Sequence, residues 1–140
     1  MNFSQTMKHT KKQLKNILGN VNTIALVGAS SDVNRDSFKV MKFLINEGYD
    51  VIPVNPNESS NTILGKKCLP NLKSIQQELD MVDIFRAKKY VNSITLDAIE
   101  IGAKVIWTQE GVIDEESSIM AKNAGIIFVM DECPKKVLEN

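Results

Sequence analysis

The chain has 140 residues, the size of one domain, and 43% of them are hydrophobic, which provides a core and excludes a disordered chain. Lysine plus arginine number 17 and aspartate plus glutamate number 17, so no net field draws the protein to nucleic acid or to a membrane surface. No apolar run reaches transmembrane length, and the polar first 20 residues lack the apolar centre of a secretory signal. A cytoplasmic protein without nucleic-acid or membrane partners is expected. Cys68 and Cys133 have no metal-like spacing and are expected as free thiols.

Residues 1–20 are expected to include a helix that docks on the domain formed by residues 21–140, because Leu14, Ile17 and Leu18 share one helical face. Residues 23–28 (TIALVG) predict a strand buried on both sides. Residues 37–47 predict a helix, with Phe38, Met41, Leu44 and Ile45 at helical spacing and Gly48 as its stop. Residues 50–54 (DVIPV) predict a second strand, in which Pro53 belongs near the end or on an unpaired side. A long polar loop follows, interrupted by a short helix expected around residues 75–79. Residues 81–85, 104–107 and 126–130 predict three more strands, the first weakened by Asp83. Helices are predicted between them over 91–101 and 114–123. The tail DECPKKVLEN is read as too short for another unit.

This βα alternation predicts an α/β domain with a five-stranded parallel sheet and helices on both faces. Ligands in open sheets of this class bind beyond the carboxyl ends of the strands. The first strand end reads GASSDVNRDS. Gly28 permits close approach, Ser30 and Ser31 offer hydroxyls, the next helix offers free N–H groups, and Arg35 offers a fork for phosphate. Asp36 opposes an anion there. The glycine spacing of a dinucleotide site is missing. Asn55-Pro56 stands where such a site has an acid, about 20 residues on. Arg86 ends the third strand, with Lys88 and Lys89 after it. Thr108, Gln109, Glu110 and Gly111 follow Trp107, which reads as core. The catalytic inventory is thin: His9 is the only histidine, Glu110 is a carboxylate without a partner, and Cys133 reads as a small semi-buried residue before a reactive thiol. No cluster suggests a metal.

The motifs GAS-S-x-x-x-R-x-S, V-x-P-V-N-P, VD-x-FR, W-x-Q-x-G and MD-x-C-P stand in this order at the five strand ends. Together they resemble the small stand-alone CoA-binding proteins, which are similar to the N-terminal CoA-binding domain of the succinyl-CoA synthetase α subunit. The resemblance covers roughly residues 15–135. It implies a single Rossmann-like domain that binds coenzyme A or an acyl-CoA at the strand ends, as a binding module without catalysis of its own. It places Gly28, Ala29 and Ser30 against the ligand phosphates and Arg35 and Ser37 on phosphate. Val54, Asn55 and Pro56 would border the adenosine, Phe85 and Arg86 would wall the site, and Gln109 and Gly111 would lie along the pantetheine path. The phosphohistidine domain of the synthetase is not part of this chain, so ligase activity does not carry over. Two alternatives stay open: a nucleotide- or NAD(P)-dependent Rossmann enzyme, and a regulatory protein that uses the shell without a ligand.

Overall fold

The structure, a computed structural model, describes residues 8–139, so the first seven residues of the expected N-terminal segment lie outside the described residues. Among these residues seven strands run β1 (Thr23–Val27), β2 (Asp50–Val54), β3 (Thr62–Ile63), β4 (Lys66–Lys67), β5 (Met81–Ile84), β6 (Val105–Thr108) and β7 (Ile127–Val129). Among the described residues five α-helices run α1 (Lys11–Gly19), α2 (Asp36–Asn46), α3 (Lys88–Glu100), α4 (Glu115–Asn123) and α5 (Pro134–Glu139).

Strands β2-β1-β5-β6-β7 form one sheet in that order, and every pairing is parallel. From β1, next to the edge, the chain winds outward to the edge strand β2, then returns past β1 to the central strand β5. The order reverses between β1 and β5, where an open sheet of this kind has its binding crevice. Side chains alternate across the sheet. Ile24, Leu26, Met81 and Trp107 pack with α1, α2 and α5 on one face; Ala25, Val82, Ile84 and Ile106 pack with α3 and α4 on the other. The expected single α/β domain with a five-stranded parallel sheet is present. Among the described residues no helix is long and apolar enough to cross a membrane.

Helix α1 begins at a reciprocal cap, in which the Thr10 hydroxyl accepts the Gln13 N–H and the Gln13 carboxamide oxygen accepts the Thr10 N–H. Leu14 and Leu18 are buried and Ile17 is partly so, as their shared face requires. Pro53 lies on the edge strand β2. Its carbonyl faces outward to accept the Leu69 N–H at 3.0 Å, so its ring nitrogen faces the same unpaired side.

Three expectations are corrected. Residues 75–79 are not helical. The turn is instead a 3₁₀ segment, Leu72–Ser74, because the Asn71 side chain captures the Ser74 N–H at 3.0 Å and Leu72 is buried as its anchor. The preceding loop holds a hairpin of β3 and β4, closed by Leu64 (φ 51°) and Gly65 (φ 79°), a turn with both central residues left-handed. The tail forms α5, with Pro134 in its first turn and Val137 buried against the face shared by α1 and α2.

Candidate functional site

The site is built where β1, β2 and β5 end. Gly28 (φ 92°) donates its N–H to the Val54 carbonyl at 2.8 Å. A Cβ there would lie 2.2 Å from the Phe85 carbonyl oxygen, so the close approach is to the end of β5. Ala29 is fully buried, and its carbonyl accepts the Asn55 side-chain N–H at 2.8 Å. The other end of that carboxamide accepts the Asn57 N–H at 2.9 Å. Asn55 therefore spends its side chain on joining the loops after β1 and β2.

The phosphate-loop candidate beyond Ala29 is folded on its own side chains. The Asp32 N–H donates to the Ser30 hydroxyl at 3.0 Å, and the Asn34 N–H donates to the Asp32 carboxylate at 2.9 Å. The Ser31 N–H donates to the Glu58 carboxylate at 2.7 Å. These bonds from Ser31 hold the Glu58 carboxyl below its ordinary range, so it is ionised at neutral pH. Sequence reasoning placed no acid here because Asn55 stands at the strand end. The 3₁₀ turn Pro56–Glu58 brings the acid back over the loop three positions later.

Gly28, Ser30, Arg35, Ser37, Asn55, Phe85 and Arg86, all sequence candidates, line one depression of about 500 Å³, together with Asp36, Asn57 and Glu58. Arg35 precedes α2 in extended backbone, and its side chain caps nothing. The Arg86 guanidinium lies 4.1 Å above the centre of the Tyr90 ring. Among the described residues neither arginine pairs with a carboxylate, so both are available to an anion. Asp36, in the first turn of α2, makes no hydrogen bond to the helix N–H groups among the described residues; it stands in the wall.

A second depression of about 370 Å³ adjoins the first, sharing Asp36 and Phe85. Gln109 and Cys133 line it, and Glu110 and Lys136 cross its rim as an exposed ion pair at 2.8 Å. Burial pushes the half-buried Cys133 thiol up, against backbone N–H bonds from Lys136 and Lys135, so it stays protonated at neutral pH. The Gln109 carboxamide nitrogen donates to Asp83, a fully buried carboxyl in β5. Ala29, Val54, Pro56 and Gly111 line neither depression; Ala29 and Val54 are core. Gly111 (φ 83°) donates its N–H to Asp131 at 2.7 Å, fastening the loop after β6 to the loop after β7. Buried Thr108 completes that fastening, donating to the Val112 carbonyl at 2.7 Å and accepting the Asp131 N–H at 3.3 Å. Among the described residues no group of His, Cys, Asp and Glu side chains is arranged to hold a metal ion.

Fold and site together define a Rossmann-like domain with a polar, arginine-bearing groove at the switch point of its sheet. Residues 22–139 match the CoA binding domain family, and the chain belongs to it. It is 36% identical over 126 residues to the uncharacterized protein YneT of Bacillus subtilis, covering 90% of this chain and 92% of that one. It is 32% identical over 84 residues to an ADP-forming acetate–CoA ligase II of Archaeoglobus fulgidus, covering 59% of this chain but only 12% of that ligase. A solved structure of a hypothetical protein from Pyrococcus horikoshii superposes with a TM-score of 0.87 at 39% identity, over 94% of this chain and 91% of that one.

Proposed function

We propose that this protein binds coenzyme A or an acyl-CoA across its strand ends and acts as a binding module without chemistry of its own. The nucleotide and phosphates occupy the first depression, and the pantetheine arm runs into the second. The observation that carries this reading is the pair of arginines, Arg35 and Arg86, facing one groove without carboxylate partners in a chain of zero net charge. Family membership supports the ligand class. Ser37, at the start of α2, adds a helix N-terminus whose N–H groups favour an anion. Phe85 supplies the apolar wall; Val54 is buried and meets the site only through its carbonyl, which accepts the Gly28 N–H. Calorimetric titration with CoA tests the reading. Saturable heat is expected, and its absence at millimolar CoA with folded, ligand-free protein overturns it.

One observation favours a second reading, a nucleotide- or NAD(P)-dependent enzyme. Glu58 places a carboxylate beside the loop, as a site for a ribose diol requires. A thermal shift with NAD(H) or NADP(H) larger than that with CoA selects this reading.

A further inference from the structure

Asp83 is unused by the binding role described so far. It sits in the middle of β5, paired in register with Leu26 on one side and Trp107 on the other. It is 0% exposed, and its Oδ2 has no hydrogen-bond partner. An isolated buried carboxyl is costly where an apolar residue would pack, so its presence calls for a compensating role. Register shows what it touches. Trp107 is its register partner in β6, and its carboxyl meets Gln109, which follows that strand and lines the second depression.

A carboxamide has a donor end and an acceptor end, and either can face a ligand unless something fixes it. Here the Gln109 nitrogen is bound to Asp83 Oδ1, while Gln109 Oε1 has no partner among the described residues. Resting on the CoA reading, we propose that Asp83 is a positioning residue: it holds the donor end of Gln109 inward, so that Oε1 accepts an amide N–H from the ligand's arm in the second depression. Burial pushes the Asp83 carboxyl up to about 8, opposed only in part by the Gln109 bond. Gln109 therefore rests on an uncharged group at neutral pH, which suits an uncharged, amide-bearing arm.

The test compares two ligands by calorimetry: CoA, and 3′-phospho-ADP, the same nucleotide without the arm. Asp83→Leu keeps the branched shape and removes the acceptor. It is expected to weaken CoA binding about five- to tenfold and to leave 3′-phospho-ADP unchanged. Asp83→Asn, whose side-chain oxygen still accepts from Gln109, is expected to restore CoA binding to near the wild-type value. Equal loss for both ligands, no loss with CoA, or failure of Asp83→Asn to restore it overturns the proposal. If Asp83→Leu does not fold, the side-chain amide resonances of Gln109 in the wild-type protein decide. A downfield, slowly exchanging N–H is expected, and a pair typical of a free glutamine overturns the proposal. Wild-type protein that binds neither ligand defeats the CoA reading itself, which separates the two failures.

Discussion

At Ser31 the loop after β1 already carries an anion, because Glu58 lies on its N–H at 2.7 Å. A phosphate entering the first depression meets that carboxylate as a competitor. Two positive charges, Arg35 and Arg86, thus face two negative ones, Glu58 and Asp36, around the groove. Glu58→Gln keeps a side chain of the same size and removes the negative charge. It is expected to tighten CoA binding about fivefold, read by calorimetry, as suits one partly solvated like-charge contact. Weaker CoA binding would instead assign Glu58 to the ribose. Arg35→Ala is expected to cost about 1.5–3 kcal/mol of CoA binding, the worth of a hydrogen bond to a charged group. Unchanged affinity would make Arg35 a surface residue. Gly28 belongs at this scale for a different reason. Alanine at φ 92° would drive its Cβ to 2.2 Å from a backbone oxygen that has nowhere to move. Gly28→Ala is expected to destabilise the fold by about 2–4 kcal/mol in urea unfolding.

The elements differ in how far the sequence foretells them, and the difference has a physical cause. The strands of the large sheet and their helices follow from local pattern, because burial on both faces demands apolar runs and burial on one demands helical spacing. β3 and β4 are two residues each, and β4 is Lys66–Lys67; no periodicity survives at that length. α5 spans six residues, and only its burial against α1 and α2 makes it a helix. In the groove, Arg35, Arg86, Phe85 and Gln109 are legible because each sits at a strand end or helix start. Glu58 and Asp83 are not. One reaches the loop through a turn after Pro56, and the other contradicts the apolar pattern of its own strand. α1 shows how an outlying element is held. Leu18 is 0% exposed, and its carbonyl accepts the Tyr49 hydroxyl at 2.7 Å. Leu18→Ala removes the packing but leaves that backbone bond. It is expected to cost about 2–4 kcal/mol in urea unfolding. A loss below about 1 kcal/mol would mean that α1 contributes little to the domain.

Across the whole molecule two acids of β5 and its approach pull stability in opposite directions with pH. Asp80 caps the amino end of the sheet: its carboxylate accepts the N–H groups of Thr23 at 3.1 Å and Asn22 at 2.8 Å, and Lys104 lies 3.4 Å away. The Thr23 N–H leads in holding its carboxyl below the ordinary value of 3.8. Its contribution is therefore present above that value and is lost as pH falls through the lower folded pKa. Asp83, near the carboxyl end, behaves in reverse. Burial raises it from 3.8 to about 8, so the folded state holds a proton that the unfolded chain releases. Its stability is fully present below 3.8, declines as pH rises, and is gone once pH passes about 8. One proton sets the slope at no more than about 1.4 kcal/mol per pH unit. In Asp83→Asn no proton is exchanged, so the decline between pH 3.8 and about 8 should flatten while the acid loss from Asp80 remains. Urea unfolding of both proteins at several pH values between the two limits measures the difference. Parallel profiles would mean that Asp83 is ionised in the fold. The same neutral carboxyl that steadies Gln109 at one end of the sheet then makes the domain most stable at mildly acid pH. The Asp83 contribution to stability should accordingly fall between pH 3.8 and about 8 and stay level above it, and only in the protein that keeps Asp83.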